Sequence, residues 1–151
     1  MRVGVYCVVG IPRIKDCRLF LRREMVDHTK EIYTRLLQVI PNLRNIGSYA
    51  KLSAPGFMDL HVDILNKNGN VWRISLAHNY KAGGDVIPDP DMEVTADFDN
   101  ESANAETYQD TYVYRVANDE RSRKELNEFL ILWLGNLIEQ GHRMVDSPLI
   151  Q

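Results

Sequence analysis

The stretch Asp59-Leu60-His61-Val62-Asp63-Ile64, followed after Lys67-Asn68-Gly69 by Trp72-Arg73-Ile74-Ser75-Leu76-Ala77, decides the fold. Apolar and polar residues alternate strictly in both halves, the period of a half-buried strand, and the Lys-Asn-Gly break between them makes the pair an antiparallel hairpin. Register follows from keeping one face apolar. A two-residue Asn68-Gly69 turn sets Ile64 opposite Arg73. A three-residue loop, Lys67 to Gly69, pairs Ile64 with Trp72, Val62 with Ile74, Asp63 with Arg73 and His61 with Ser75, and is the register expected.

Upstream of this hairpin, Asp27 caps a helix in which Ile32, Leu36, Val39 and Ile40 recur at helical spacing until Pro41 ends it. A first strand follows, with Ala50, Leu52 and Ala54 on one face, and Pro55-Gly56 breaks it. Downstream, the two glycines and two prolines between Lys81 and Pro90 read as an irregular loop. Met92, Val94, Ala96 and Phe98 alternate in a fourth strand, residues 99 to 104 form a polar turn, and a fifth strand runs from about Ala105 to Val116 with a break or bulge at Gln109-Asp110. The chain closes with a helix capped by Asn118 or Asp119, striped by Leu126, Phe129, Leu130, Trp133, Leu134 and Leu137, and stopped at Gly141. The fold expected is α+β: an antiparallel five-stranded sheet flanked by an N-terminal and a C-terminal helix. Leu132 falls off the stripe, which predicts a partly exposed leucine at a weak partner or dimer contact.

With 151 residues, 44% hydrophobic and 26% charged, the chain has the composition of one globular domain. No apolar run reaches the roughly 18 residues of a membrane-spanning helix. The net charge of −3 conceals a break. Residues 1–24 carry six bases against two acids, a balance of +4, while residues 25–151 carry 12 against 19, a balance of −7. Between Ala82 and Tyr114 there is no Lys or Arg but nine acids, a surface that repels phosphate and excludes nucleic-acid binding through this half. Both cysteines, Cys7 and Cys17, fall in the basic segment, so the body has no disulfide framework. The run Val3 to Ile11 lacks a small-x-small cleavage site and is read either as an added strand, Val3 to Val9, or as part of an extension ahead of a natural start at Met25. The second reading gives an extension at 1–24, one domain at 25–143 and a C-terminal tail at 144–151.

Three constellations have the residue types for chemistry, each beside a plainer explanation. Asp59, His61 and Asp63 emerge from one strand face within reach of a common ion, but a solvated face is polar by construction and the expected register gives Asp63 a partner in Arg73. The acidic turn from Asp97 to Glu101 opens like a calcium loop, yet it lacks the glycine and glutamate that such a loop needs at its sixth and twelfth positions. His78 shares the parity of Trp72, Ile74 and Leu76, so it belongs at the rim of the apolar face, where Gly83-Gly84 can fold Asp85, Asp89 or Asp91 back toward its ring. A carboxylate paired with His78 raises the pKa of the imidazole; a metal there lowers it. The paired form without metal is expected, because a flexible loop lacks the pre-set geometry of a zinc site.

The run Phe57-Met58-Asp59-Leu60, Ile74-Ser75-Leu76-Ala77-His78, Gly84-Asp85, Pro88 to Val94, Tyr108-Gln109, and Glu125 to Leu130 through Trp133-Leu134 to Gln140-Gly141-His142 resembles the bacterial YqiB-like family, domain of unknown function 1249. The resemblance covers about residues 26 to 143. It implies a small cytoplasmic bacterial protein with no assigned activity, and marks His78, Asp85, Asp89 and Asp91 without giving them roles.

No nucleophile has an evident partner, and no phosphate loop or closed metal motif is present. The sequence therefore reads as a non-enzymatic cytoplasmic binding or adaptor domain, with no cofactor, no metal, and an unknown protein or small-molecule partner, present as a monomer or weak homodimer. The alternative is a hydrolase-like or metal-dependent enzyme using His78 and the Asp85 to Asp91 loop.

Overall fold

The computed structural model describes residues 28–145. The readings of residues 1–24, of Asp27 as a helix cap and of the last residues of the C-terminal tail lie outside it. Helix α1 (28–39) opens the described chain and buries Ile32, Leu36 and Val39, with Ile40 just beyond its end. A 3-10 turn, Leu43–Asn45, leads to the sheet.

Seven strands follow in the described residues, not five: β1 (Tyr49–Ser53), β2 (Leu60–Asn68), β3 (Val71–Ala82), β4 (Asp85–Asp97), β5 (Ser102–Gln109), β6 (Tyr114–Val116) and, after helix α2 (Glu120–Gln140), β7 (Arg143–Met144). They form one antiparallel sheet in the order β6-β5-β4-β3-β2-β1-β7. The first six make a meander. Helix α2 then carries the chain back from the β6 edge to the β1 edge, where Met144 pairs with Leu52. Its 21 residues span about 31 Å at 1.5 Å each, close to the roughly 29 Å from the first to the seventh strand.

Two physical details account for the lengthened β3–β4 pair and for one of the two extra strands, β6. The expected irregular loop at 81–90 is the tip of a long β3–β4 hairpin, because Gly83 and Gly84 have φ of +60° and +90° and turn the chain in two residues. Pro90 sits where Asp89 and Pro90 together oppose His78, a register irregularity, and β5 covers β4 only over Asp91–Asp97, so the prolines lie where a missing N–H breaks no regular ladder. The expected fifth strand is in fact two. Asp110 accepts the N–H of Tyr112 (2.8 Å) and of Val113 (2.9 Å) through Oδ1, and its own N–H donates to the Val113 carbonyl (3.0 Å), closing a tight turn between β5 and β6.

The β2–β3 register differs from expectation by two residues. Ile64 pairs with Ile74, Val62 with Leu76, Asp63 with Ser75 and His61 with Ala77. Gly69 and Asn70 form the turn, and the register slips between Ile64 and Asn66, so the bulged Leu65 restores apolar parity that the two-residue turn alone would have lost. A shift of two keeps every side chain on its expected face while exchanging all cross-strand partners.

One sheet face carries Leu52, Leu60, Val62, Ile74, Leu76, Met92 and Val94, all fully buried under the two helices. Alanines 96, 103 and 105 let α2 approach the β4–β5 end closely. Asp119 is the N-cap of α2, with its carboxylate accepting the Ser122 N–H at 2.7 Å and Ser122 Oγ reaching back to the cap, while Gly141 takes the left-handed C-terminal position at φ +81°. The buried stripe of α2 is Leu126, Leu130, Trp133, Leu134 and Leu137, whereas Phe129 lies at its margin, 37% exposed.

Candidate functional site

The polar sheet face is a network of mutual partners. Ser53 Oγ donates to Asp59 (2.6 Å), Lys51 stands 3.7 Å from the same carboxylate, and Tyr49 Oη meets His61 Nδ1 at 2.7 Å. The Ser53 hydroxyl holds the Asp59 carboxyl below its usual range. Asp63 does not pair with Arg73. The shifted register puts Ser75 opposite Asp63, and Arg73 reaches across to Glu93 at 2.8 Å. Ser75 Oγ donates to Asp91 at 2.9 Å, and burial pushes the Asp91 carboxyl upward. Among the described residues no group of three or more His, Cys, Asp and Glu side chains is placed to hold a metal ion.

His78 lies deeper than the rim position expected for it. It is buried under Trp133, with ring centroids 5.4 Å apart, and its Nδ1 is 2.8 Å from the carbonyl of Asp59. A carbonyl can only accept, so Nδ1 carries the hydrogen. The expected carboxylate pairing is absent. Burial lowers the His78 pKa, and the field of Asp89 is the last of the influences opposing it. Asp85 sits exposed beside the Gly83-Gly84 turn, while Asp91 points to the opposite sheet face toward Ser75. The hairpin carries the three aspartates apart because it continues as paired strands, whereas a folded-back loop would have gathered them.

The titratable ring beside His78 is that of His142, with centroids 5.8 Å apart. Its Nε2 is 2.8 Å from the Met58 carbonyl, and its Nδ1 is buried with no hydrogen-bond partner among the described residues.

Among the described residues a concave site lies elsewhere, between the β5–β6 hairpin and α2, as a cleft of about 290 Å³. Val113, Leu126 and Phe129 form apolar walls; Tyr108, Asp110, Arg115 and Glu125 supply polar atoms. The cleft exists because α2 overhangs the sheet edge while β6 has only three residues to fill the space below it. Tyr108 stands edge-on to Phe129, with ring centroids 5.1 Å apart, and donates its hydroxyl to Asp110 Oδ2 at 2.8 Å. Burial, reinforced by the acceptor carboxylate, pushes the phenol up to about 12. Arg115 Nη2 binds Glu125 Oε1 at 2.5 Å, and Arg121 holds the other oxygen at 3.3 Å, so Glu125 stays below the usual carboxylate range. The cleft thus offers an apolar slot between a phenol and a guanidinium–carboxylate pair.

Sequence reasoning placed no site here. Two signals in the letters bear on it: Arg115 is the first base after the run beginning at Ala82, and Phe129 sits off the centre of the α2 stripe.

Residues 31–143 match the family model described as Domain of unknown function (DUF6908). The chain belongs to the DUF6908 family. This replaces the resemblance to the YqiB-like family, domain of unknown function 1249, with a different domain of unknown function. The quoted motifs are short runs from hairpins and an amphipathic helix, which unrelated α+β domains share for structural reasons. No curated protein and no solved structure matches the chain.

Proposed function

We propose that this DUF6908 domain is a non-enzymatic binding domain whose site is the cleft between the β5–β6 hairpin and α2. The observation that carries the reading is the cleft itself: an apolar slot with Tyr108, Arg115 and Glu125 converging on it, beside a sheet edge. It contains no nucleophile with a base, and burial keeps its phenol, Tyr108, protonated through neutral pH. In this reading the domain works in the cytoplasm. No helix among the described residues is long and apolar enough to cross a membrane.

A second reading, a hydrolase-like or metal-dependent enzyme using His78 and the Asp85–Asp91 loop, draws on the lowered pKa of the His78 ring and on the His142 nitrogen beside it, which has no partner among the described residues. One experiment separates the two. The protein is assayed against p-nitrophenyl esters and phosphates, and by NMR against pooled peptides and metabolites. The binding reading expects no turnover above background and shifts centred on Val113, Arg115 and Phe129 that Phe129→Asp removes. Turnover abolished by His78→Asn establishes the enzyme instead.

A further inference from the structure

The two histidines buried among the described residues, His78 and His142, meet under the end of α2 at 8% and 6% exposure. His78 stands on β3 at the register irregularity opposite Asp89 and Pro90. His142 follows Gly141, and its N–H returns to the Leu137 carbonyl at 3.2 Å. Trp133 covers the His78 ring, and Phe57, half exposed, stands 6.5 Å from that of His142. The ring pair therefore lies close below the surface.

The backbone sets both tautomers. The carbonyls of Asp59 and Met58 lie 2.8 Å from His78 Nδ1 and His142 Nε2, and a carbonyl has no hydrogen to give, so these two nitrogens donate. In neutral rings the bare nitrogens are then His78 Nε2 and His142 Nδ1. No group among the described residues donates to His142 Nδ1. A buried acceptor left in that state is costly unless something outside the chain takes its lone pair. A ring anchored through one N–H on a backbone carbonyl, with its other nitrogen bare, is the arrangement of metal-binding histidines.

One ion can span the pair. With nitrogen–metal bonds of about 2.0 Å, two imidazoles on a single ion keep their centroids within roughly 6.3 Å, and the rings here are 5.8 Å apart. Ligand number and charge select the ion. Zinc takes three or four protein ligands, and among the described residues no third His, Cys, Asp or Glu completes a set with these two. Asp85 and Asp89 are exposed, and Asp91 turns to the opposite sheet face. Both ligands being neutral, the ion keeps its whole charge in a buried setting, and that cost grows with the square of the charge. A monovalent ion that accepts two imidazole nitrogens meets both conditions, and Cu(I) is such an ion.

We propose that His78 Nε2 and His142 Nδ1 together bind one Cu(I) ion as a two-nitrogen site. The proposal is independent of the cleft, and it differs from the His78–aspartate constellation read in the sequence by using no carboxylate.

The test uses the full chain with Cys7→Ser and Cys17→Ser, because thiolates compete for Cu(I). Under anaerobic conditions with ascorbate, this protein should withdraw one equivalent of copper from the ferrozine complex of Cu(I). Nitrogen-15 spectra of its imidazoles should show His78 Nε2 and His142 Nδ1 shifting, while His78 Nδ1 and His142 Nε2 keep their hydrogens. His78→Asn and His142→Asn should each weaken binding by about a hundredfold or more, since even an outer partner of a ligand is worth about 10–100-fold. His61→Asn should leave it unchanged. The spectra are read on the intact ring pair, so a variant that fails to fold does not decide the outcome. Ferrozine keeping all the copper overturns the proposal. So does copper that stays bound with neither nitrogen shifting, or a hydrogen on His142 Nδ1 in the metal-free protein. Copper held by the wild-type chain but not by the serine variant assigns the ion to Cys7 and Cys17 and overturns it as well.

Discussion

His78 and His142 lie with ring centroids 5.8 Å apart, each holding the carbonyl of one of two consecutive residues, Asp59 and Met58. The pair pins the chain before β2 beneath the end of α2. Burial, with His142 and His61 nearby, disfavours a charged His78, whereas the unfolded chain takes up a proton near 6.5. A histidine with a lowered folded pKa contributes stability that is fully present above about pH 6.5 and is lost as pH falls from there through the folded value. Urea denaturation at pH 7.5 and 5.5 should therefore show lower stability at the acid end. His78→Asn, whose amide can still donate to the Asp59 carbonyl but does not titrate, should flatten that difference. An equal loss in both proteins would exclude His78 as its source.

Tyr108 and Asp110 make the second prediction. Asparagine at position 110 still accepts the Tyr112 and Val113 amides, so the turn survives Asp110→Asn. The phenol loses its anionic acceptor but stays buried. Its pKa should drop from about 12 yet remain above 10, read from the ultraviolet difference between each protein and its Tyr108→Phe counterpart. Stability linked to this tyrosine is present below about pH 10 and declines toward 12, because the unfolded phenol ionises first. No change on Asp110→Asn would mean burial alone sets the value.

The main divisions of the chain were legible because alternation and helical spacing are local. Asp119 and Gly141 bounded α2 for reasons contained in three or four residues each. What escaped was set by pairing at a distance. Gly83-Gly84 makes a loop or a hairpin tip according to whether residues on either side find each other, and the bulge at Leu65 depends on a partner strand that periodicity cannot see. The site escaped for a related reason. His78 was singled out with its neighbours in sequence, but His142 reaches it only because α2 spans the sheet, and the cleft arises where that same helix overhangs the short β6.

Asn127 is a polar residue buried inside the apolar stripe of α2. Its Oδ1 accepts the Ala105 N–H at 2.8 Å and its Nδ2 donates to Asn104 at 3.2 Å. The register slip beside Glu106 leaves the Ala105 amide to be met by a side chain. Asn127→Leu strands that buried donor and should cost about 1–3 kcal/mol, despite adding apolar volume. Chemical denaturation measures it; a cost below about 0.5 kcal/mol would indicate that water reaches Ala105.

Leu132 is 67% exposed on the back of α2, as its place off the stripe predicted. Leu132→Glu should leave stability within about 0.5 kcal/mol of the parent. If Leu132 contributes to a weak dimer contact, sedimentation of the variant should lose a concentration-dependent component present in the parent. Identical monomeric sedimentation of both proteins removes that contact.

Gly135 lies under the side chain of Arg35, where α1 crosses α2. A Cβ on Gly135 would stand 2.7 Å from Arg35 Nη1, the nitrogen that donates to the Ile131 carbonyl at 3.1 Å while Nε binds Glu31 at 2.6 Å. Two effects of Gly135→Ala oppose one another. Alanine gains about 1 kcal/mol over glycine inside a helix, and displacing the guanidinium loses its hydrogen bond to Ile131, worth about 1.5–3 kcal/mol for a charged donor but less where it is partly exposed. In the parent the substitution should come out near neutral or slightly destabilising. With Arg35→Ala already in place, nothing obstructs the methyl group, and the same change should stabilise by about 1 kcal/mol. The double-mutant cycle should therefore give a coupling of about 1–2 kcal/mol. A coupling near zero, with Gly135→Ala stabilising in both backgrounds, would show that Arg35 moves aside freely and that the glycine is not required by this helix crossing.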